Sequence, residues 1–109
     1  MKPVCHILTL DSLFFQHIVT QMSGFGWTVD LDSFHDQTPK GMKQFSNIVA
    51  VHNPHAARRL TLACHYDSKD MTDQGFVFYG AIDSAVPCAM MLEIARLVTS
   101  DLSNPRRRD

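Results

Sequence analysis

The sequence predicts an α/β domain in which a mixed β-sheet is flanked by helices. Three observations support this. Apolar residues alternate with a period of two in the middle of the chain, and they recur with helical spacing near both ends. Turn-forming residues separate these stretches, at Gly24, Asn53-Pro54 and Gly80. The length of 109 residues suits a single domain with one modest core.

The overall composition excludes some classes of partner. The chain is 45% hydrophobic and 19% charged, with a formal net charge of -1, so it lacks the excess of basic residues that nucleic-acid binding requires. No apolar run is long enough to cross a membrane. The apolar patch near the N-terminus is interrupted by His6 and ended by Asp11, which makes it a poor signal peptide. We therefore expect no nucleic-acid partner and no membrane span.

The first predicted element is an amphipathic helix over residues 13–22 that lies on the sheet. Asp11 or Ser12 is placed to cap it, and Gly24 is placed to end it. Its apolar residues recur at helical spacing, whereas His17 falls among polar neighbours on the other face. We expect the apolar face to pack inward and His17 to be solvated.

Three strands are predicted to follow. Residues 27–34 alternate apolar and polar, with Asp30 and Asp32 on the solvent face, and residues 35–41 form a loop. Residues 45–52 and 59–66 are the second and third strands. Only about six residues join these two, too few for a parallel crossover, so they are expected to pair antiparallel.

The second half of the chain is predicted as a long irregular segment followed by a helix. Residues 68–82 show no regular period, although residues 76–79 are apolar enough to pack on the body. The helix runs over residues 85–98, with Ser84 as its N-cap and Pro87 in its first turn. Apolar residues cover most of its circumference and leave Glu93 and Arg96 as a narrow polar edge, so we expect it to be largely buried.

Chemistry-bearing side chains concentrate in residues 64–68 and 80–88, which contain one histidine, two aspartates and two cysteines. One interpretation is a zinc site that uses His65 and Asp83, because imidazole and carboxylate are both zinc ligands. The plainer interpretation is that Asp83 caps the last helix and His65 bonds a neighbour.

Two nucleophile hypotheses are weaker. Ser68 or Ser84 could act with His65, but neither lies in a nucleophile-elbow pattern. Cys64 and Cys88 lie among apolar residues, where a thiol is inert or paired in a disulfide. Three cysteines leave at least one unpaired, and a pairing of Cys64 with Cys88 would leave Cys5 over.

Two long motifs carry a family resemblance. The runs LACHYDSK (residues 62–69) and GAIDSAVPCAMML (residues 80–92) resemble the animal glutaminyl-peptide cyclotransferases. Phe34 and the shorter runs QTP (residues 37–39) and FSNI (residues 45–48) are also similar to that family. The resemblance extends over residues 16–97, most of the chain.

The resemblance implies part of a zinc aminopeptidase-like (phosphorylase/hydrolase-like) domain that converts N-terminal glutamine of peptides or proteins to pyroglutamate and releases ammonia. The family holds one zinc with an Asp, a Glu and a His, and Asp83 matches the Asp ligand. Cys64 and Cys88 match the family's disulfide. His65 and Asp67 match a His-x-Asp of the wider aminopeptidase fold, whose His binds a second metal that the cyclotransferases lack. We therefore expect these two beside the ligand set and not in it.

The chain also departs from the family. Its one glutamate, Glu93, lies within the predicted last helix, so the family's adjacent ligand and acid/base glutamates have no match. The family's later histidine ligand would lie beyond Asp109. We assign no catalytic residue and expect residues 1–109 to be a single, truncated cyclase-like domain, from a secretory protein by resemblance. The alternatives are a zinc metallo-aminopeptidase that uses His65 and Asp83 on two metals, and a catalytically inactive fragment or isoform.

Overall fold

The structure is a computed structural model. It describes residues 4–104 and 106, and it describes side chains from residue 13 onward. It contains helix α1 (Val4–Gly24), strands β1 (Thr28–Thr38) and β2 (Gly41–Val51), and helix α2 (Val86–Leu102). The chain between β2 and α2 is irregular apart from a 3-10 turn at Thr72–Gln74 and a π-turn at Ala81–Ala85. These elements confirm the predicted α/β class.

The sheet of the described residues is an antiparallel hairpin of β1 and β2, paired from Thr28↔Val51 to Thr38↔Gly41. It is longer than predicted, because residues 35–38 continue β1 instead of forming a loop. Cross-strand contacts extend the ladder: the rings of Phe34 and Phe45 stack with centroids 5.5 Å apart. The Thr38 hydroxyl donates a 2.6 Å hydrogen bond to the Gly41 carbonyl and so closes the turn.

The predicted third strand is wrong, because residues 59–66 belong to no sheet in the part of the chain that the structure describes. The partner of β2 is β1. After β2 the chain turns at Asn53, where the Ala56 amide donates to the Asn53 carbonyl. A side chain connects the segment to β2, since the Tyr66 hydroxyl donates a 2.5 Å hydrogen bond to the Ser46 carbonyl. Short linkers permit a hairpin, but they do not impose one.

Helix α1 packs on the hairpin and on α2, as predicted for an amphipathic helix on a sheet. It begins at Val4, so the predicted cap at Asp11 or Ser12 is wrong and both positions lie inside the helix. Met22 is buried near its end, His17 is exposed as expected, and the rings of Phe15 and Tyr66 lie with centroids 6.2 Å apart.

Helix α2 is less buried than its sequence suggested. Cys88 and Ala95 are buried, whereas Met90 is 58% exposed and the other exposed apolar side chains of the helix are Val86, Ile94, Leu97 and Leu102. The described residues cover one face only, so the prediction of a largely buried helix is wrong. The apolar side chains of residues 76–79 are exposed as well. Among the described residues no helix is long and apolar enough to span a membrane.

The start of α2 also differs from the prediction. Ala85 occupies the N-cap position, and no side chain caps the helix. The amides of Ala85 and Val86 donate to the carbonyls of Gly80 and Ala81 in the preceding π-turn. Ser84 is therefore not needed as a cap, and it is buried inside the turn.

Candidate functional site

A sharp turn before α2 places Asp83 at the surface. Gly80 has φ +60, and a Cβ at this position would lie 2.6 Å from the Asp83 carbonyl oxygen. Glycine is the residue that adopts this conformation and permits this approach without steric cost. Asp83 and Ser84 have non-helical backbone angles, and the peptide bond between them is cis. The turn thus separates Asp83 from the helix that follows.

A disulfide joins the two stretches that the sequence singled out. Cys64 and Cys88 are bonded, with their Cα atoms 5.6 Å apart and a separation of 24 positions in sequence. The bond fixes residue 64, next to His65, to the first turns of α2. It also removes both thiols as nucleophiles, so the catalytic-cysteine hypothesis is wrong for these two residues.

His65 lies between two aspartates. Its Nε2 atom is 2.7 Å from Oδ1 of Asp83. On the other side of the ring, Nδ1 is 2.9 Å from the Asp67 backbone carbonyl and 3.2 Å from Oδ1 of the Asp67 carboxylate. The interpretation that His65 bonds its neighbours is therefore supported, whereas the interpretation that Asp83 caps α2 is not. Both ring nitrogens face aspartates, which argues against a Ser68–His65 or Ser84–His65 catalytic pair.

The electrostatics of this group follow from its hydrogen bonds. An imidazole can donate to an acceptor at each nitrogen only when both nitrogens carry a proton. The hydrogen bond to Asp83, followed by that to the Asp67 backbone, accordingly raises the pKa of His65. The three side chains are open to solvent, with His65 50% exposed, Asp67 72% and Asp83 85%.

The described residues alone do not fit a complete zinc site. Asp67 and Asp83 lie on opposite sides of one imidazole ring and do not converge on a point. Within residues 13–104 and 106, no three His, Cys, Asp or Glu side chains come together in a way that could hold a metal. Asp83 fits one position of such a site, because its hydrogen bond engages Oδ1 and its side chain is exposed.

Sequence reasoning missed a cleft beside this group. It has a volume of about 180 Å³ and lies between α1, α2 and residues 66–67. Phe14 and Ile18 of α1, Leu92 of α2 and Asp67 are among the residues that line it. The apolar spacing of both helices was visible in the sequence, but the space between them depends on how the helices pack.

Comparison with known proteins identifies the class to which this fold and site belong. The family model described as peptidase family M28 matches residues 47–108, more than half of the chain. This match includes both stretches of the site. The chain therefore belongs to peptidase family M28.

Within that class the chain is similar to glutaminyl-peptide cyclotransferases. It is 53% identical over 92 residues to the enzyme of Gloydius blomhoffii, a match that covers 81% of this chain and 25% of the relative. It is 47% identical over 95 residues to that of Drosophila melanogaster, covering 86% and 26%. The crystal structure of Macrostomum lignano glutaminyl cyclase superimposes with a TM-score of 0.76 at 42% identity, covering 82% of this chain and 26% of that one. The chain thus spans about a quarter of the length of these relatives, and the resemblance inferred from its motifs is confirmed.

Proposed function

We propose that this chain carries part of a glutaminyl-peptide cyclotransferase. The observation that supports this most strongly is its similarity to proteins of that name, at 47–53% identity over more than four-fifths of the chain. The reaction forms a lactam. The α-amine of an N-terminal glutamine attacks its own side-chain amide carbon, a new C–N bond forms, and the former amide nitrogen leaves as ammonia. We further propose that the substrates are peptides or proteins of the secretory pathway.

Zinc is the cofactor that the resemblance implies, and Asp83 is the residue we assign to it. A carboxylate is an accepted zinc ligand, and catalytic zinc sites take three protein ligands. Asp83 is exposed at a turn held by backbone hydrogen bonds. Because the described residues supply no set of three ligands, the other ligands must come from outside them, and we assign none of this chain's residues to catalysis.

A chimeric enzyme tests the proposal. The matching segment of the Macrostomum lignano cyclase is replaced by residues 13–98 of this chain, and ammonia release from a peptide with N-terminal glutamine is measured beside zinc content. We expect activity and about one zinc per molecule, both lost in Asp83→Ala. The control is Asp30→Ala on the exposed face of β1. A folded chimera that binds zinc equally well with Asp83→Ala would overturn the assignment of Asp83.

Peptide hydrolysis is the second candidate, because the family model that the chain matches is named for peptidases. An aminopeptidase that used His65 as a metal ligand would need one of its ring nitrogens, and both face aspartates here. The same chimera decides between the two reactions. Ammonia released from an N-terminal glutamine supports cyclisation, whereas a free amino acid released from an N-terminal leucine peptide supports hydrolysis. Neither product from a folded, zinc-loaded chimera would favour an inactive segment.

A further inference from the structure

We propose that His65 is a positioning residue that fixes the orientation of the Asp83 carboxylate, with Asp67 fixing the imidazole ring in turn. One part of this inference rests on the proposed function, namely that the ligand of Asp83 is a divalent cation. The orientation itself follows from contacts among the described residues. It assigns a separate role to each of the three side chains.

Asp83 needs an external restraint. Its side chain is 85% exposed, and an exposed side chain exchanges rotamers on the picosecond to nanosecond timescale. Its backbone lies in a non-helical turn whose hydrogen bonds hold the main chain, but these bonds do not restrict the carboxylate. The 2.7 Å contact with Nε2 of His65 is its one hydrogen bond within the described residues.

His65 is well suited to provide this restraint, because it is held on its other side. Nδ1 donates to the Asp67 carbonyl at 2.9 Å, with the Asp67 carboxylate 3.2 Å away. The neighbouring residue, Cys64, is covalently tied to α2. The ring is thus anchored at one nitrogen to the chain segment that carries it and presents the other nitrogen to Asp83. Hydrogen bonds with a charged partner are shorter and about twice as strong as neutral ones.

The same geometry argues against His65 as a metal ligand in its own right. A histidine that binds a metal directs one ring nitrogen at the ion, whereas here Nε2 faces a carboxylate oxygen. Carboxylates that bind metals are commonly hydrogen-bonded by a further group that fixes their orientation. His65 engages Oδ1 of Asp83, so a cation can take the other oxygen without displacing the imidazole.

The orientation of Asp83 can be measured in the full 109-residue chain without metal or substrate. Three-bond NMR couplings from the backbone nitrogen and carbonyl carbon to Cγ of Asp83 report χ1. We expect a single rotamer in the native chain and rotamer averaging in His65→Leu. His65→Gln keeps an N–H donor and should retain most of the restriction, while Asp67→Ala should give intermediate averaging. The matched control is His35→Leu, at an exposed histidine of β1, which should leave Asp83 unchanged.

Two results would overturn the proposal. One is an averaged χ1 for Asp83 in the native chain, which requires no variant. The other is an unchanged χ1 in His65→Leu while the Trp27 indole resonance shows that the fold is intact. If His65→Leu fails to fold, the χ1 couplings of Asp83 in the native chain, in His65→Gln and in Asp67→Ala test the proposal instead. Because neither zinc nor cyclisation enters the measurement, its outcome is independent of whether the cyclotransferase proposal holds.

Discussion

The Trp27 indole donates a 2.8 Å hydrogen bond to the Thr99 hydroxyl, across 72 positions of sequence. The same hydroxyl donates at 2.5 Å to the Ala95 carbonyl. The Thr99 side chain of α2 thus accepts a hydrogen bond from Trp27, the residue before β1, and donates a hydrogen bond within its own helix. The bond is partly buried, so a loss of the acceptor leaves the indole N–H without a partner in a place that water reaches poorly.

Thr99→Val should therefore destabilise the chain. Valine has the shape of threonine without the hydroxyl, and the loss of one such bond costs about 1 kcal/mol. Thr99→Ser keeps the hydroxyl and is the matched control. The measurement is urea unfolding followed by the fluorescence of Trp27, the single tryptophan. Equal stability of the two variants would show that the bond contributes nothing.

The sequence predicts those parts of the fold that depend on local pattern. The alternation of residues 27–34 was enough to predict β1, and the spacing after Pro87 was enough to predict α2. The pairing of β2 was missed, because it depends on contacts such as Phe34 with Phe45 that join separate segments. Polar residues 35–38 look like a loop until the opposite strand is present to pair with them.

The site could be predicted only in part for a similar reason. Family resemblance pointed to Asp83 and to the pairing of Cys64 with Cys88, which the structure contains. The zinc-site interpretation placed His65 and Asp83 at one site, but the direct hydrogen bond between them was not predicted. It depends on a disulfide and a glycine turn that bring together residues 18 positions apart. No periodicity or spacing reports such a contact.

Removal of the disulfide should lower the free energy of unfolding substantially. With Cys64 and Cys88 separated by 24 positions in sequence, the chain-entropy model gives a stabilisation of about 3.5 kcal/mol. The double variant Cys64→Ala, Cys88→Ala should lose about this amount in urea unfolding. A thiol count on the unreduced, unfolded chain should give one, and a count of three would contradict the bond.

Substitutions on the two faces of α2 should differ in how strongly they change the free energy of unfolding. Ala95 is 5% exposed, so Ala95→Leu overpacks its surroundings and should cost about 1 to 3 kcal/mol. Met90 is 58% exposed, and Met90→Lys should change stability by less than about 0.5 kcal/mol. Thermal unfolding of both variants checks this. A large loss in Met90→Lys would mean that the helix is buried all round, as its sequence suggested.

The tip of the hairpin should detach in acid. Lys40 contacts the Asp70 carboxylate at 2.5 Å, and its hydrogen bond, followed by those from Thr72, holds the pKa of Asp70 well below its usual range. A carboxyl whose folded pKa is depressed contributes fully above its ordinary pKa of about 4 and loses that contribution as pH falls toward the folded value.

Amide exchange at Gly41, beside Lys40 in the turn, measures this detachment between pH 7 and about pH 1.5 after correction for intrinsic rates. In the native chain we expect protection to stay constant down to about pH 4, the ordinary pKa of the carboxyl, and to fall progressively below that pH, whereas in Asp70→Asn it should be low and nearly constant. The control is Asp30→Asn, which lies on the same hairpin and should behave like the native chain. Because the ion pair is partly exposed, added salt should also weaken it. Protection that is identical in all three proteins would contradict the role of Lys40.

Gly80 connects the stability of the turn to the geometry of the site. Gly80→Ala should cost more than about 1 kcal/mol, because φ +60 is unfavourable for alanine and its Cβ would meet the Asp83 carbonyl at 2.6 Å. Gly24→Ala is the matched control, since a Cβ there meets nothing within 4 Å.

Relief of the clash in Gly80→Ala must move the backbone of Asp83, so the hydrogen bond with His65 should weaken along with the fold. Urea unfolding measures the first effect and the χ1 couplings of Asp83 measure the second. A destabilised Gly80→Ala whose Asp83 keeps a single rotamer would show that the imidazole follows the carboxylate when the turn moves.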